Sequence, residues 1–181
     1  MKKKIVLGVS GSISAYKAAD IANQLTKLDF EVNVIMTKSA TAFITPLTLQ
    51  SLTKRRVHLD VMAEPDEALI NHIELAKTAD LFLVAPATAN LIGKMANGIA
   101  DDLLSTVALA LHPETPKVLA PAMNTYMYEN PITQKNLATL KEVGYEEILP
   151  REALLACGDY GRGALANVDT IVQHVLHVLT K

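Results

Sequence analysis

The sequence predicts an α/β fold, a three-layer doubly wound parallel sheet, and three observations carry that reading. Four short runs, Ile5-Val6-Leu7-Gly8-Val9, Val32-Asn33-Val34-Ile35-Met36, Leu81-Phe82-Leu83-Val84-Ala85 and Lys117-Val118-Leu119-Ala120, are almost wholly apolar, as strands covered on both faces are. Each run gives way to Ser, Thr, Asn or Pro, residues that turn the chain or cap a helix. A helical segment follows each turn, and that alternation sets the strands parallel.

The first strand stops at Ser10-Gly11-Ser12. From Ser14 onward Ala15, Ala18, Ile21, Ala22, Leu25 and Leu28 recur at three- and four-residue steps, the stripe of a helix lying on a sheet. Further helices are predicted around Ser51 and over 70–77, 90–95, 101–111, 131–143 and 168–179, with a shorter fifth strand near Ile148. Asp101-Asp102 reads as an acidic helix start. In such a sheet ligands bind beyond the carboxyl ends of the strands, so the segments after Val9, Met36, Ala85 and Ala120 should converge on one site.

Composition narrows the function classes. A chain of 181 residues is the size of one domain, 1–181. The 17 basic against 19 acidic residues leave a net charge of −2, with no basic excess for a polyphosphate backbone, so nucleic acid is not expected as a partner. Half the residues are hydrophobic and a fifth charged, an apolar excess that subunit contacts would absorb. Cys157 is the single cysteine, which excludes an internal disulfide framework and fits a reducing compartment. The apolar run after Lys2-Lys3-Lys4 lasts five residues, too short for a signal peptide. No run reaches a membrane span, and a cytoplasmic protein is expected.

Five segments carry the chemistry. Gly8-Val9-Ser10-Gly11-Ser12-Ile13-Ser14 puts small residues and hydroxyls at a strand-to-helix turn, where helix-end N–H groups attract a phosphate; a purely structural turn uses the same residues. Thr37-Lys38-Ser39-Ala40-Thr41 repeats the pattern after the second strand, as does Ala85-Pro86-Ala87-Thr88-Ala89-Asn90 after the third. Pro121-Ala122-Met123-Asn124-Thr125-Tyr126-Met127-Tyr128 crowds two Met and two Tyr around Asn124, an amide able to grip a carboxylate or a ring edge. Ala156-Cys157-Gly158-Asp159-Tyr160-Gly161-Arg162-Gly163 sets the thiol among glycines, which would let the loop move as a lid. Cys157 is thus a candidate proton donor or nucleophile, although a lone cysteine often serves as a small hydrophobe.

His72 opens the helix leading into the third strand and is a candidate base. His174 and His177 stand three apart on the last helix but lack a third metal ligand nearby, and no metal is expected. His58 and His112 have no companion acid or thiol.

Together, Gly11-Ser12 with Tyr16-Lys17, His72-Ile73-Glu74-Leu75, Pro86 to Asn90, Pro121 to Met127 and Ala156 to Gly161 resemble the flavin-containing cysteine decarboxylases across nearly the whole chain. The resemblance implies a flavodoxin/Rossmann-like flavoprotein with FMN as its cofactor. FMN would lie against Gly11, Ser12, Ile13, Thr37, Ser39, Thr88, Ala89, Asn90, Leu91 and Ala122. The substrate would meet Asn124, Met127, Ala156 and Leu165, with Asn124 on its carboxylate, His72 as base and Cys157 as proton donor.

The motifs are nearest to the branch that turns 4'-phosphopantothenoylcysteine into 4'-phosphopantetheine in coenzyme A biosynthesis. Alternatives are a relative acting on a peptidyl cysteine and a non-catalytic flavin-binding regulatory subunit. The resemblance also implies a homotrimer or dodecamer with FMN at subunit interfaces, and a separate synthetase chain making the substrate. Two positions depart from the family's pattern. Leu91 stands where Thr is frequent, so phosphate contacts there would have to come from the backbone. Tyr128 stands where Trp is common.

Overall fold

The computed structural model describes residues 2–63 and 70–180. Strands β1 (Lys4–Val9), β2 (Glu31–Met36), β3 (Leu81–Ala87), β4 (Lys117–Pro121) and β5 (Tyr145–Glu147) form one parallel sheet in the order β2-β1-β3-β4-β5. The central strand, β3, is buried along its whole length, as a strand with helices on both faces must be.

Alternation along the strands divides the core in two. Ile5, Leu7, Leu81, Leu83, Val118 and Ala120 face one layer, made by α1 (Lys17–Lys27), α2 (Pro46–Thr53) and α8 (Val168–Thr180). Val6, Phe82, Val84 and Leu119 face the other, made by α3 (Asn71–Thr78), α4 (Ala89–Ala96), α5 (Leu103–Ala110) and α7 (Pro131–Glu142). Each expected helix is present within a few residues of its predicted bounds. Asp101-Asp102 does more than start a helix acidically: Asp102 accepts from Ser105 N at 2.8 Å in a capping box, and both aspartates hold Lys94, at 2.7 and 3.4 Å.

The chain runs from β1 outward to β2, then back past β1 to β3. The strand order therefore reverses between β1 and β3, the crevice where doubly wound folds bind ligands. Three elements have no counterpart among the predicted ones. The Met-Tyr segment contains a short helix, α6 (Thr125–Glu129), and the glycine-rich segment is the antiparallel hairpin of β6 (Arg151–Leu154) and β7 (Tyr160–Ala164).

Candidate active site

A cavity of about 890 Å³ opens at the carboxyl ends of β1 to β4. Its inner wall is three turns held together by side chains. The buried Ser10 hydroxyl donates to Pro86 O at 2.6 Å and accepts from Thr88 N at 3.0 Å, tying the turn after β1 to the turn after β3. A Cβ on Gly11 would stand 2.4 Å from Ser39 Cβ, so the turns after β1 and β2 touch and only glycine fits between them. Ser12 caps a 3-10 turn by accepting from Ser14 N at 3.2 Å, and Thr88 caps α4 by accepting from Leu91 N at 3.3 Å.

Gly11, Ser12, Ile13, Thr37, Ser39, Thr88, Ala89, Asn90, Leu91 and Ala122 all border this cavity. Leu91 borders it too, with its side chain buried in the same core cluster as Ile92. Hydroxyls, helix-end N–H groups and a volume in the range of cofactor pockets fit FMN, with its phosphate and ribityl chain at the turns.

The outer wall carries the thiol. Asn124 caps α6 by accepting from Tyr126 N at 2.9 Å, which turns its amide NH₂ group outward. That group donates to Cys157 Sγ at 3.3 Å and to Asp159 Oδ2 at 3.1 Å, and the Cys157 thiol donates to the same carboxylate oxygen at 3.4 Å. Thus three side chains from two segments form one closed cluster, with Cys157 exposed to the cavity. Met127, Ala156 and the buried Leu165 border the cavity around it.

The glycines explain why the cluster forms. A Cβ on Gly161 would meet Thr125 Oγ1 at 2.6 Å, and one on Gly163 would meet Met123 O at 2.2 Å. Met123 N in turn donates to Gly163 O at 3.0 Å. These glycines let β7 lie flat on the loop after β4, and Gly158, at φ 92, closes the hairpin that carries Cys157. In the structure these glycines serve close packing and a tight turn.

The structure does not bring His72 to this cavity. It sits in the first turn of α3, half-buried, and its buried Nδ1 makes no hydrogen bond to the described residues. His174 pairs with Glu146 at 3.0 Å, and no group of His, Cys, Asp or Glu among the described residues is arranged to hold a metal. Three polar residues of the site are not among those predicted from the sequence. Lys17 and Asp159 fall inside quoted motifs, but their roles depend on long-range packing. Arg151 opens β6 in the run Arg151-Glu152-Ala153-Leu154, which carries no local signal of a site. Burial, and then the nearby Arg151 guanidinium, lower the Lys17 ammonium below the ordinary lysine value.

The fold and this cavity define a flavin-site protein of the doubly wound class. The Flavoprotein family matches residues 1–180, and the chain belongs to that family. It is 61% identical over 175 residues to a probable phosphopantothenoylcysteine decarboxylase of Streptococcus mutans, spanning 97% of this chain and 98% of that protein. It is 46% identical over 171 residues to the coenzyme A biosynthesis bifunctional protein CoaBC of Bacillus subtilis, spanning 94% of this chain but 42% of that longer one. A solved cysteine-to-serine mutant of PPC decarboxylase, complexed with pantothenoylaminoethenethiol, matches 100% of both chains with a TM-score of 0.90 and 34% identity. The FMN binding protein AtHal3 matches 98% of this chain and 97% of its own with a TM-score of 0.85 and 35% identity.

Proposed function

We propose that this protein is an FMN-dependent decarboxylase that converts 4'-phosphopantothenoylcysteine to 4'-phosphopantetheine in the cytoplasm, as a step of coenzyme A biosynthesis. The observation that carries this reading is the Asn124, Cys157 and Asp159 cluster facing the flavin cradle across one cavity. The S. mutans relative, matched over nearly its whole length, supports the substrate.

Loss of carbon dioxide from an acylated cysteine leaves an electron pair with no sink, and FMN, when bound, supplies one. The chain's own residues do the rest. Asn124 offers its NH₂ group to the substrate carboxylate, which displaces Asp159 as its acceptor and so fixes the bond that will break. Cys157 holds a proton on Sγ and delivers it to the carbon that has lost the carboxylate. Asp159, which accepts from both in the substrate-free cluster, orients the thiol. The hairpin lines one wall of the cavity and brings the thiol to the reacting carbon.

His72 is the base of this reading, and its place outside the cavity of its own chain supports an oligomer in which it serves a neighbouring copy. Exposed Ile13, Tyr16 and Phe43 at the cavity rim supply apolar surface for such contacts. We read the assembly as a homotrimer or a set of trimers with FMN between subunits.

Replacing the thiol tests the assignment. Cys157→Ser should release carbon dioxide and stop at the unsaturated enethiol, seen by mass spectrometry, with the two electrons removed from the substrate left on the flavin, seen as loss of its yellow colour. Saturated product formed at the normal rate would remove Cys157 from the proton-donor role.

A further inference from the structure

Asn124 owes its place to α6, a short helix of five residues whose one buried side chain is Tyr128. The two residues stand at opposite ends of one helical turn, where Tyr128 N donates to Asn124 O at 3.0 Å. Tyr126 and Met127 between them are exposed, so the turn is seated through the tyrosine. Its phenol donates to Glu147 Oε1 at 2.8 Å, and its carbonyl accepts from Gln134 Nε2 at 2.6 Å.

Glu147 ends β5, and neither it nor Tyr128 borders the cavity. The Glu147 side chain is only 3% exposed, and a carboxylate so deep is destabilising unless both oxygens find donors. One oxygen takes the Tyr128 phenol and the other takes Lys141 Nζ at 2.6 Å. A phenylalanine would fill the same space among Leu137 and Leu140; the hydroxyl and carboxylate add a direction that ring packing lacks. The anchor is mounted on the sheet itself, because Glu147 pairs with Leu119 of β4 and Ile148 N donates to Leu119 O at 2.8 Å. The loop that leaves β4 leads within three residues of Pro121 to Asn124. Asn124 is thus held from β4 on one side and from β5, by way of Tyr128, on the other.

We propose that Glu147, acting through Tyr128, is a positioning residue for Asn124, fixing the turn so that the amide meets the substrate carboxylate. This rests on the activity proposed above.

The test uses FMN-loaded wild type, Tyr128→Phe, Glu147→Leu and the conservative Glu147→Gln, at a temperature where circular dichroism shows each folded. It reads kcat/KM for 4'-phosphopantothenoylcysteine and the inhibition constant of 4'-phosphopantetheine, which lacks the carboxylate. Tyr128→Phe and Glu147→Leu should lower kcat/KM roughly tenfold, as weakening of one hydrogen bond to a charged group implies. The inhibition constant and the flavin content should match wild type. Glu147→Gln, whose amide oxygen still accepts from the phenol, should keep most of kcat/KM. An unchanged kcat/KM in Tyr128→Phe overturns the positioning role while leaving the activity standing, and that variant alone decides if Glu147→Leu does not fold. A parallel rise in the inhibition constant, or loss of flavin, overturns it too, by showing a general loosening of the cavity. Wild-type protein that does not turn over the substrate overturns the activity, and this role with it.

Discussion

Tyr128 shows how one substitution in a motif is accommodated. Its ring is buried and its hydroxyl donates to Glu147 Oε1 at 2.8 Å, while Lys141 holds the other carboxylate oxygen at 2.6 Å. Burial, and then the Glu147 carboxylate beside it, push the phenol up to about 12. Tyr128→Phe would leave a nearly buried carboxylate with Lys141 as its remaining partner there. We expect a loss of about 1–3 kcal/mol in urea unfolding, and a variant as stable as wild type would show that the hydroxyl is dispensable. Gly11→Ala is a sharper change, because its methyl group would overlap Ser39. It should cut the flavin-to-protein ratio of the purified protein severalfold, whereas full occupancy would show that the two turns can part.

At the scale of elements, the outer edge of the sheet has its own protection. Ile35 in β2 forms a parallel bridge with His58: His58 N donates to Val34 O at 2.9 Å and Met36 N to His58 O at 3.0 Å. Burial, and then the charges of Arg56 and Arg55, lower the His58 imidazole from its ordinary 6.5. The unfolded chain then binds a proton that the folded chain resists. This contribution to stability is complete above about pH 6.5 and falls as the pH drops through that value toward the folded pKa. His58→Gln should therefore flatten the fall in unfolding midpoint between pH 7 and pH 5. An undiminished slope would mean that other groups carry it.

The elements also show what a sequence makes legible. β1 to β4 and the long helices could be read because apolar runs and three-to-four spacing are local signals of burial. The β6–β7 hairpin could not, since Gly161 and Gly163 look like flexible loop until Thr125 and Met123 O are seen against them. The turn residues and Cys157 were legible through motifs. Arg151 was not, since only the fold brings it to the cavity wall that Lys17 also borders.

At the scale of the whole molecule, the apolar excess and the position of His72 point the same way. If His72 serves a neighbouring copy, a His72→Asn subunit and a Cys157→Ser subunit are each defective in a different half of a shared site. Mixed after partial unfolding and refolded together, they should regain part of the wild-type activity, because some assemblies hold one intact site. No recovery from mixtures that do form hetero-oligomers would place His72 and Cys157 in the same subunit's site.

The expectations for Gly11, His72 and Cys157 stand on the chemistry at the mouth of the β1–β3 crevice. The most direct measurement incubates the FMN-loaded protein with 4'-phosphopantothenoylcysteine and follows carbon dioxide and 4'-phosphopantetheine together. Equal amounts of both should form, over many turnovers and without an added oxidant. A flavin-loaded preparation that releases neither would contradict it and leave a binding or regulatory role for the same fold.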